Sequence, residues 1–219
     1  MVVDFNTALK KSAVMKLATF FVQFMILMIL SRIFTPFEFG VIASIQVFII
    51  FFQMFSEIGI TPALINEKSI NARERDGVFT FTCILGLVIG FLFYGFSFFL
   101  NDFYVEYDYS TISFLVCISI IFSSLNIVPY SAIVKELRFG TIAKIEICAQ
   151  IFSLIIALLL LLKFDPVIAL ASKVPSTSVL KFIFTWYTSS STLLGRPVFG
   201  NNFSLLDRIK SFSIYQFGF

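Results

Sequence analysis

The sequence predicts an all-α fold: a polytopic membrane protein built as a six-transmembrane-helix bundle. Hydrophobic residues make up 58% of the 219 residues and charged residues only 13%, whereas a soluble domain carries about 25% charged residues. A soluble domain of this size buries only about 70–75% of its surface, so many of the 31 phenylalanines would face water. Long apolar windows also recur along the chain. Lipid is therefore the solvent for most of this protein.

Six windows are long and apolar enough to form spanning helices, since about 20 residues of helix cross about 30 Å of hydrocarbon. They are residues 13–31, 39–60, 78–100, 110–134, 145–162 and 167–187. The third and fourth contain no charge, the fifth ends in a run of leucines, and the sixth contains two lysines and a proline. Stretches such as residues 83–93 and 151–162 are apolar at almost every position, whereas the strands of a membrane barrel alternate between apolar and polar residues.

The first window follows Lys10 and Lys11, as the apolar segment of a signal peptide follows its basic region. It is longer than such a segment, and Arg32 and Thr35-Pro36 follow it where a cleavage site would carry small residues. We therefore interpret the first window as a retained helix.

Lysine and arginine are concentrated on one side of the predicted topology. Twelve of the 16 basic residues lie in the N-terminal arm and the start of the first window, the loops after the second and fourth windows, and the tail. The opposite loops hold only Arg32 and Lys163, and the loop after the third window is acidic, with Asp102, Glu106 and Asp108. Positively charged loops stay in the cytoplasm, so the pattern predicts that both ends of the six-helix lobe are cytoplasmic.

Each of the first two helices carries a polar stripe on one helical face. The stripes consist of Lys16, Thr19 and Gln23 on the first helix and of Gln46, Gln53 and Glu57 on the second. Polar groups that face lipid are costly, so the stripes are expected to face the bundle interior or a water-filled cavity. For the three glutamines, hydrogen bonding between helices and the lining of a cavity remain equal alternatives.

The sixth helix places Lys173, Thr177 and Lys181 four residues apart on one face, with Pro175 between the lysines. A proline there predicts an irregular helix, of the kind that surrounds transporter sites. Charges inside a membrane cost at least a few kcal/mol on insertion scales. The alternative is that each lysine, about two turns from a helix end, extends to the nearer interface. We favour a cavity that attracts anions.

The composition also excludes several kinds of chemistry. The chain has no histidine, which excludes imidazole bases and histidine metal ligands. The three cysteines, Cys83, Cys117 and Cys148, have no metal-ligand spacing. No glycine-rich phosphate loop is present, and no two loop carboxylates have a spacing typical of a catalytic pair. Asp102, Glu106 and Asp108 come closest, and we interpret them as a solvated acidic turn. The sequence therefore predicts no enzyme, no catalytic residues, no metal, no cofactor and no nucleic-acid partner.

Three strings resemble motifs of the Wzx-type oligosaccharide flippases, the polysaccharide exporters of the multidrug/oligosaccharidyl-lipid/polysaccharide superfamily. They are Leu30–Gly40 (LSRIFTPFEFG), Glu57–Lys68 (EIGITPALINEK) and Val134–Lys144 (VKELRFGTIAK). The first resembles the loop between the first two helices, the second the end of the second helix, and the third the loop after the fourth helix. They occur in the family's order, within a resemblance that extends from about residue 10 to residue 208.

The resemblance implies a fold of twelve or more helices in two six-helix lobes around a central cavity. It implies translocation of a lipid-linked oligosaccharide, such as an O-antigen or other polysaccharide repeat unit on a polyprenyl diphosphate carrier, across the bacterial inner membrane by alternating access. The implied partners are this substrate, membrane lipids, and a second six-helix lobe or another copy of the chain. The candidate cavity residues are Lys16, Gln23, Arg32, Gln46, Gln53, Glu57, Lys173 and Lys181.

The resemblance covers the N-terminal lobe of such a fold. We expect residues 1–187 to form that lobe, residues 188–210 a polar cytoplasmic linker, and residues 211–219 the truncated start of a seventh helix. The start of the sixth helix, Phe164-Asp165-Pro166, differs from the glycine-rich start in the family. Two alternatives remain open: a nonfunctional truncated remnant, and a polytopic glycan polymerase or ligase, although the loop between residues 100 and 110 is short for such an enzyme.

Overall fold

The computed structural model describes residues 5–57, 60–66, 72–103 and 109–189. The helices of this part are α1 (Phe5–Ile33), α2 (Pro36–Glu57), α3 (Ile60–Asn66), α4 (Ala72–Phe103), α5 (Tyr109–Lys135), α6 (Phe139–Leu161) and α7 (Pro166–Thr188). All of them except α3 contain a segment long and apolar enough to cross a membrane. The predicted all-α bundle with six spanning helices is confirmed.

The short helix α3 is the element that the hydropathy windows did not predict. The second window was expected to continue to residue 60, but α2 ends at Glu57 and Ile60 begins α3. Ile60 and Leu64 lie one turn apart, are each 3% exposed, and join an apolar cluster with α4 and α5. The apolar character of this stretch therefore reflects packing against the bundle and not a longer second span.

Helix α7 runs without interruption from Pro166 to Thr188, so the irregularity predicted at Pro175 does not divide the helix. Pro166 stands in the first turn, where its missing N–H costs no helical bond, and Asp165 precedes it with an extended backbone (φ −53°, ψ 137°). Pro175 lies inside the helix and is buried. Because proline has no N–H, Pro175 removes one backbone hydrogen bond of α7. The neighbouring helices that pack against α7 hold it in a helical conformation at this point.

A tight turn joins α5 to α6. Leu137 has φ 55°, and its N–H donates to the carbonyl of Val134 at 2.9 Å. The N–H of Arg138 donates to the carbonyl of Ile133 at 3.2 Å. These two bonds are those of a Schellman motif, in which the left-handed position is usually glycine. Here a leucine occupies it.

Helix α5 is the central element of the bundle. It packs against α2, α3, α4, α6 and α7, whereas α1 packs chiefly on α6. Two glycines of α4 allow its close approach to α5: a Cβ on Gly86 would lie 2.6 Å from the Cβ of Ser124, and one on Gly90 would lie 3.2 Å from the carbonyl oxygen of Cys117. Small residues have this role where membrane helices meet.

The largest apolar cluster lies between α2, α4, α5 and α7. Phe93, Ile112 and Ile120 are fully buried in it, and the rings of Phe52 and Phe93 meet edge to face with centroids 5.1 Å apart. At the end of this cluster the hydroxyls of Ser44 and Tyr109 share a hydrogen bond of 3.0 Å. Side chains thus fill the space between these four helices.

Helices α1 and α2 lie at the periphery. Only 11% of the apolar window of α1 is buried, and its buried side chains, Ile26 and Leu30, lie in its C-terminal half against α6 and α7. The large side chains of Leu17, Phe20 and Phe21 are exposed on its other half. This apolar surface suits contact with lipid.

Candidate functional site

We call the end of the bundle at which α5 and α7 end and α6 begins the basic end. Exposed Lys135, Arg138 and Lys144 lie there, in or beside the turn between α5 and α6. The opposite end is the one at which α1 joins α2 and α6 joins α7. Two cavities open between the helices at the basic end.

The larger cavity lies between α3, α5, α6 and α7 and has a volume of about 490 Å³. Side chains from all four helices give it a mixed wall, with isoleucines from α5 and α6 between the polar groups. Its polar lining residues are Thr61, Ser123, Asn126, Tyr130, Glu146, Lys181 and Thr185.

The smaller cavity, of about 360 Å³, lies between α1, α3, α5 and α6. Helix α1 contributes Ser12, Lys16 and Thr19 to it. The two cavities share the lining residues Thr61, Tyr130, Ile142 and Glu146. We therefore treat them as one feature, the basic-end cleft, with a cation on each side of Glu146.

An ion pair crosses the larger cavity from α6 to α7. The Nζ of Lys181 lies 3.8 Å from Oε1 of Glu146, and the two side chains are 33% and 30% exposed. Each residue is seven positions from the basic end of its helix, which places both about 10 Å along the helix axis at 1.5 Å per residue. Opposite charges at equal depth reduce the cost of placing either one in the bundle.

The distance within this pair shows that the two groups attract each other without a hydrogen bond, since N–H···O bonds are about 2.7–3.2 Å long. The ammonium group of Lys181 therefore keeps hydrogen-bonding capacity for another acceptor. Beside it, Oδ1 of Asn126 is buried and has no hydrogen-bond partner among the described residues. The larger cavity thus holds polar groups whose bonding capacity the protein itself does not use.

The structure brings two of the eight sequence-predicted cavity residues to the cleft, Lys16 and Lys181. Lys173 is half-buried, lines neither cavity, and lies two turns from Lys181 toward the opposite end of α7. The two ammonium groups repel each other, and within the described part of the chain no carboxylate pairs with Lys173. The two lysines share a helix face but not a cavity.

Five of the other predicted residues, Lys173 included, do not line the cleft. Gln23, Arg32 and Gln46 are exposed on the surface of the bundle and Gln53 is half-buried. Glu57 ends α2, and its side chain lies outside the described residues. Gln23 and Gln46 stand near the middle of their spans, Ser12–Ile33 and Pro36–Met54. These two amides therefore face outward at the depth where lipid is most apolar.

Sequence reasoning missed Glu146, the residue common to both cavities, and the polar groups beside it. Glu146 was visible as a lone charge at the start of the fifth window, and Asn126 as an amide in the fourth. Neither shares a helix with Lys181, so no spacing along one helix connects them. Instead, the packing of α6 against α7 and α5 brings these residues together with Lys181.

Chemically, the cleft offers cations, hydroxyls and the amide of Asn126 around one carboxylate. That set suits recognition of an anion with several acceptor oxygens, such as a phosphate. Among the described residues no group of three His, Cys, Asp or Glu side chains could hold a metal ion.

The predicted linker and the predicted start of a seventh helix, residues 188–210 and 211–219, begin at the last described positions or lie outside them. The expected domain boundaries therefore stay predictions.

Comparison with known proteins gives two matches. A family model described as polysaccharide biosynthesis protein matches residues 29–219, a range that contains all three motif strings. An uncharacterized membrane protein in the cps region of Klebsiella pneumoniae is 30% identical over 148 residues, which are 63% of this chain and 28% of that protein. The match thus spans less than a third of the relative's length. No solved structure matches the chain.

Proposed function

We propose that this chain, which belongs to the polysaccharide biosynthesis protein family, moves a lipid-linked oligosaccharide across the bacterial inner membrane by alternating access. Family membership confirms the resemblance to polysaccharide exporters predicted from the three motifs, and the six spanning helices suit a transporter lobe. The single observation that carries the proposal is the basic-end cleft, whose larger cavity is lined by Lys181 and whose smaller cavity is lined by the exposed Lys16.

In this proposal the cleft admits the diphosphate headgroup from the cytoplasm. Charge-assisted hydrogen bonds from Lys181 to phosphate oxygens are about twice as strong as neutral ones. Hydroxyls of Tyr130 and Thr61, which line both cavities, lie where the sugar or the second phosphate would follow. Rocking of this lobe against a second one then exposes the headgroup on the other side.

The proposal requires the basic end to be cytoplasmic. Single cysteines replacing Glu136 and Lys163, both exposed in turns at opposite ends, test this in a background without Cys83, Cys117 and Cys148. In intact cells an impermeant maleimide should label the cysteine at 163 and spare the one at 136. The reverse pattern would overturn the orientation.

A second six-helix lobe would cover the outward-facing glutamines. A polar amide in hydrocarbon without a partner is costly, and Gln23 and Gln46 are exposed near the middle of their spans. A cysteine at position 23 should then crosslink to a separate polypeptide or lobe that completes the transporter. A crosslink between two copies of this chain would show that the second unit is another copy.

Transport is tested by surface glycan in cells that depend on this protein. Lys181→Gln should abolish export, whereas Lys144→Gln, an exposed lysine on the same helix end as Glu146, should leave it unchanged. Loss of a transporter leaves lipid-linked repeat units on the cytoplasmic leaflet. Single repeat units exposed on the outer leaflet would instead show a polymerase or ligase, and normal export by Lys181→Gln would overturn the role of the cleft.

A further inference from the structure

Glu146 is the one carboxylate that lines both cavities of the basic-end cleft within the described part of the chain. On one side it pairs with Lys181 of α7 at 3.8 Å. On the other side the smaller cavity contains Lys16 of α1. Helix α6, which carries Glu146, packs on both α1 and α7. A single carboxylate therefore shares one cavity with Lys181 of α7 and the other with Lys16 of α1.

The pair with Lys181 is built to be weak. Its charges are only two-thirds buried, and the 3.8 Å separation is beyond hydrogen-bond length. A phosphate oxygen reaching the same ammonium group would form a charge-assisted bond of about 2.7–2.9 Å and would bring more negative charge than a carboxylate. Phosphate and Glu146 would compete for Lys181, and phosphate has the stronger interaction.

We propose that Glu146 is a resident counter-ion of the cleft, which pairs with Lys181 between transport cycles and exchanges it for Lys16 when a substrate phosphate binds Lys181. The inference rests on the proposed function and adds a named residue to it. Without this counter-ion, the charge of Lys181 would be unpaired within the bundle. The exchange links substrate binding on α7 to the position of α1, the span with the smallest buried share.

The exchange also gives the cleft selectivity. A neutral or singly charged headgroup gains less electrostatic energy than a diphosphate when it displaces Glu146. The carboxylate therefore favours binding of strongly anionic ligands over weakly charged ones. Lys181 without this carboxylate would bind any anion. The geometry thus assigns Glu146 a positioning and specificity role and not a catalytic one.

The test measures binding of farnesyl diphosphate, a short prenyl diphosphate, to the purified chain in detergent by calorimetry. Glu146→Gln removes the competitor and should tighten binding about tenfold, the factor that corresponds to about 1.4 kcal/mol. Lys181→Gln should abolish binding. The double variant should bind no better than Lys181→Gln alone, because Glu146 acts through Lys181, and this non-additivity is the signature of direct coupling.

Glu136→Gln is the matched control, because Glu136 is an exposed carboxylate at the same end of the bundle, paired with Arg138 at 3.1 Å and absent from the cleft lining. It should leave affinity unchanged. Tightening by Glu136→Gln as large as that by Glu146→Gln would show general charge repulsion and overturn the inference. Tightening by Glu146→Gln that persists without Lys181 would overturn it as well.

Lys16→Gln tests the second half of the exchange. It should weaken binding when Glu146 is present, because the displaced carboxylate loses its new partner, and should have no effect in the Glu146→Gln background. Equal weakening in both backgrounds would show that Lys16 contacts the ligand itself, and the exchange would be wrong.

Failure of the inference and failure of the proposed function give different results. Binding that Lys181→Gln abolishes but Glu146→Gln does not tighten would overturn the counter-ion role and leave the transport site intact. Absence of farnesyl diphosphate binding in both the unmodified chain and Glu146→Gln would overturn the proposed function and this inference with it. A thermal unfolding scan of each variant shows whether it is folded, and Glu146→Asp, which keeps the charge, gives a second variant of intermediate expected affinity.

Discussion

The two ends of this bundle share helices α5 and α7 but pack differently. Toward the opposite end, aromatic and branched side chains such as Phe93 and Ile112 fill the space between α2, α4, α5 and α7. At the basic end, α5, α6 and α7 carry Asn126, Glu146 and Lys181 at facing positions, and a cavity of about 490 Å³ lies between them. The cavity follows from chemistry, because charged and amide groups keep polar surroundings and do not interdigitate as apolar side chains do.

This difference separates stability from function along the same helices. Close packing makes the filled half sensitive to small changes of volume, whereas the cleft already contains space that a changed side chain can occupy. Substitutions in the packed half should therefore lower the free energy of unfolding, and those in the cleft should alter ligand binding at little cost in stability.

The largest effect is expected for Phe93→Ala. Phe93 is 0% exposed, and removal of a buried aromatic ring costs about 3–5 kcal/mol. Phe91→Ala, two positions away on α4 and 64% exposed before substitution, should cost far less. Reversible unfolding in mixed micelles measures both. Equal losses would show that the packed half is not the source of stability.

Gly86→Ala comes next and sharpens the comparison at the α4–α5 contact. The new methyl would lie 2.6 Å from the Cβ of Ser124, so the helices must move apart, at a typical cost of about 1–3 kcal/mol. Gly95→Ala on the same helix meets nothing within 4 Å and should be neutral or stabilising by up to about 1 kcal/mol, since alanine favours helix. A gain of stability by Gly86→Ala would contradict the close approach.

Leu137→Gly should stabilise the basic end. Leu137 holds φ 55°, a conformation that costs a residue with a Cβ about 1–2 kcal/mol, and glycine relieves it within the same Schellman turn. The expected gain is about 1 kcal/mol in the same unfolding assay. Leu137→Ala keeps the strain and serves as the control; a gain from alanine as large as that from glycine would place the cause elsewhere.

The smallest effects compare two serines one turn apart on α5. Ser119 is 0% exposed and shares a hydrogen bond of 2.8 Å with Ser178 of α7, whereas Ser123 lines the cleft. Ser119→Ala should cost about 0.6 kcal/mol, the average for such bonds between membrane helices, and Ser123→Ala should stay within about 0.5 kcal/mol of no change. A larger loss from Ser123→Ala would show that the cleft contributes to stability.

Sequence alone predicted which parts of the chain cross the membrane and which loops are basic. The uncharged windows 78–100 and 110–134 lie within α4 and α5, because hydrocarbon thickness determines how many apolar residues a span needs; α4 continues for six residues before its window and three after it. The motifs also predicted the family, because a short string is recognised along the chain without knowledge of the fold, and all three strings lie within the residues 29–219 that the family model matches.

Only the tertiary structure decided which polar residues meet. The helical period shows that Lys173 and Lys181 share a face, but the helix opposite that face determines that Lys181 finds Glu146. Likewise, Gln23 lies on a defined stripe of α1, yet its outward orientation depends on how α1 rests on α6. Hydropathy depends on residues in chain order, whereas a site depends on the lateral arrangement of helices, which side-chain packing between distant segments sets.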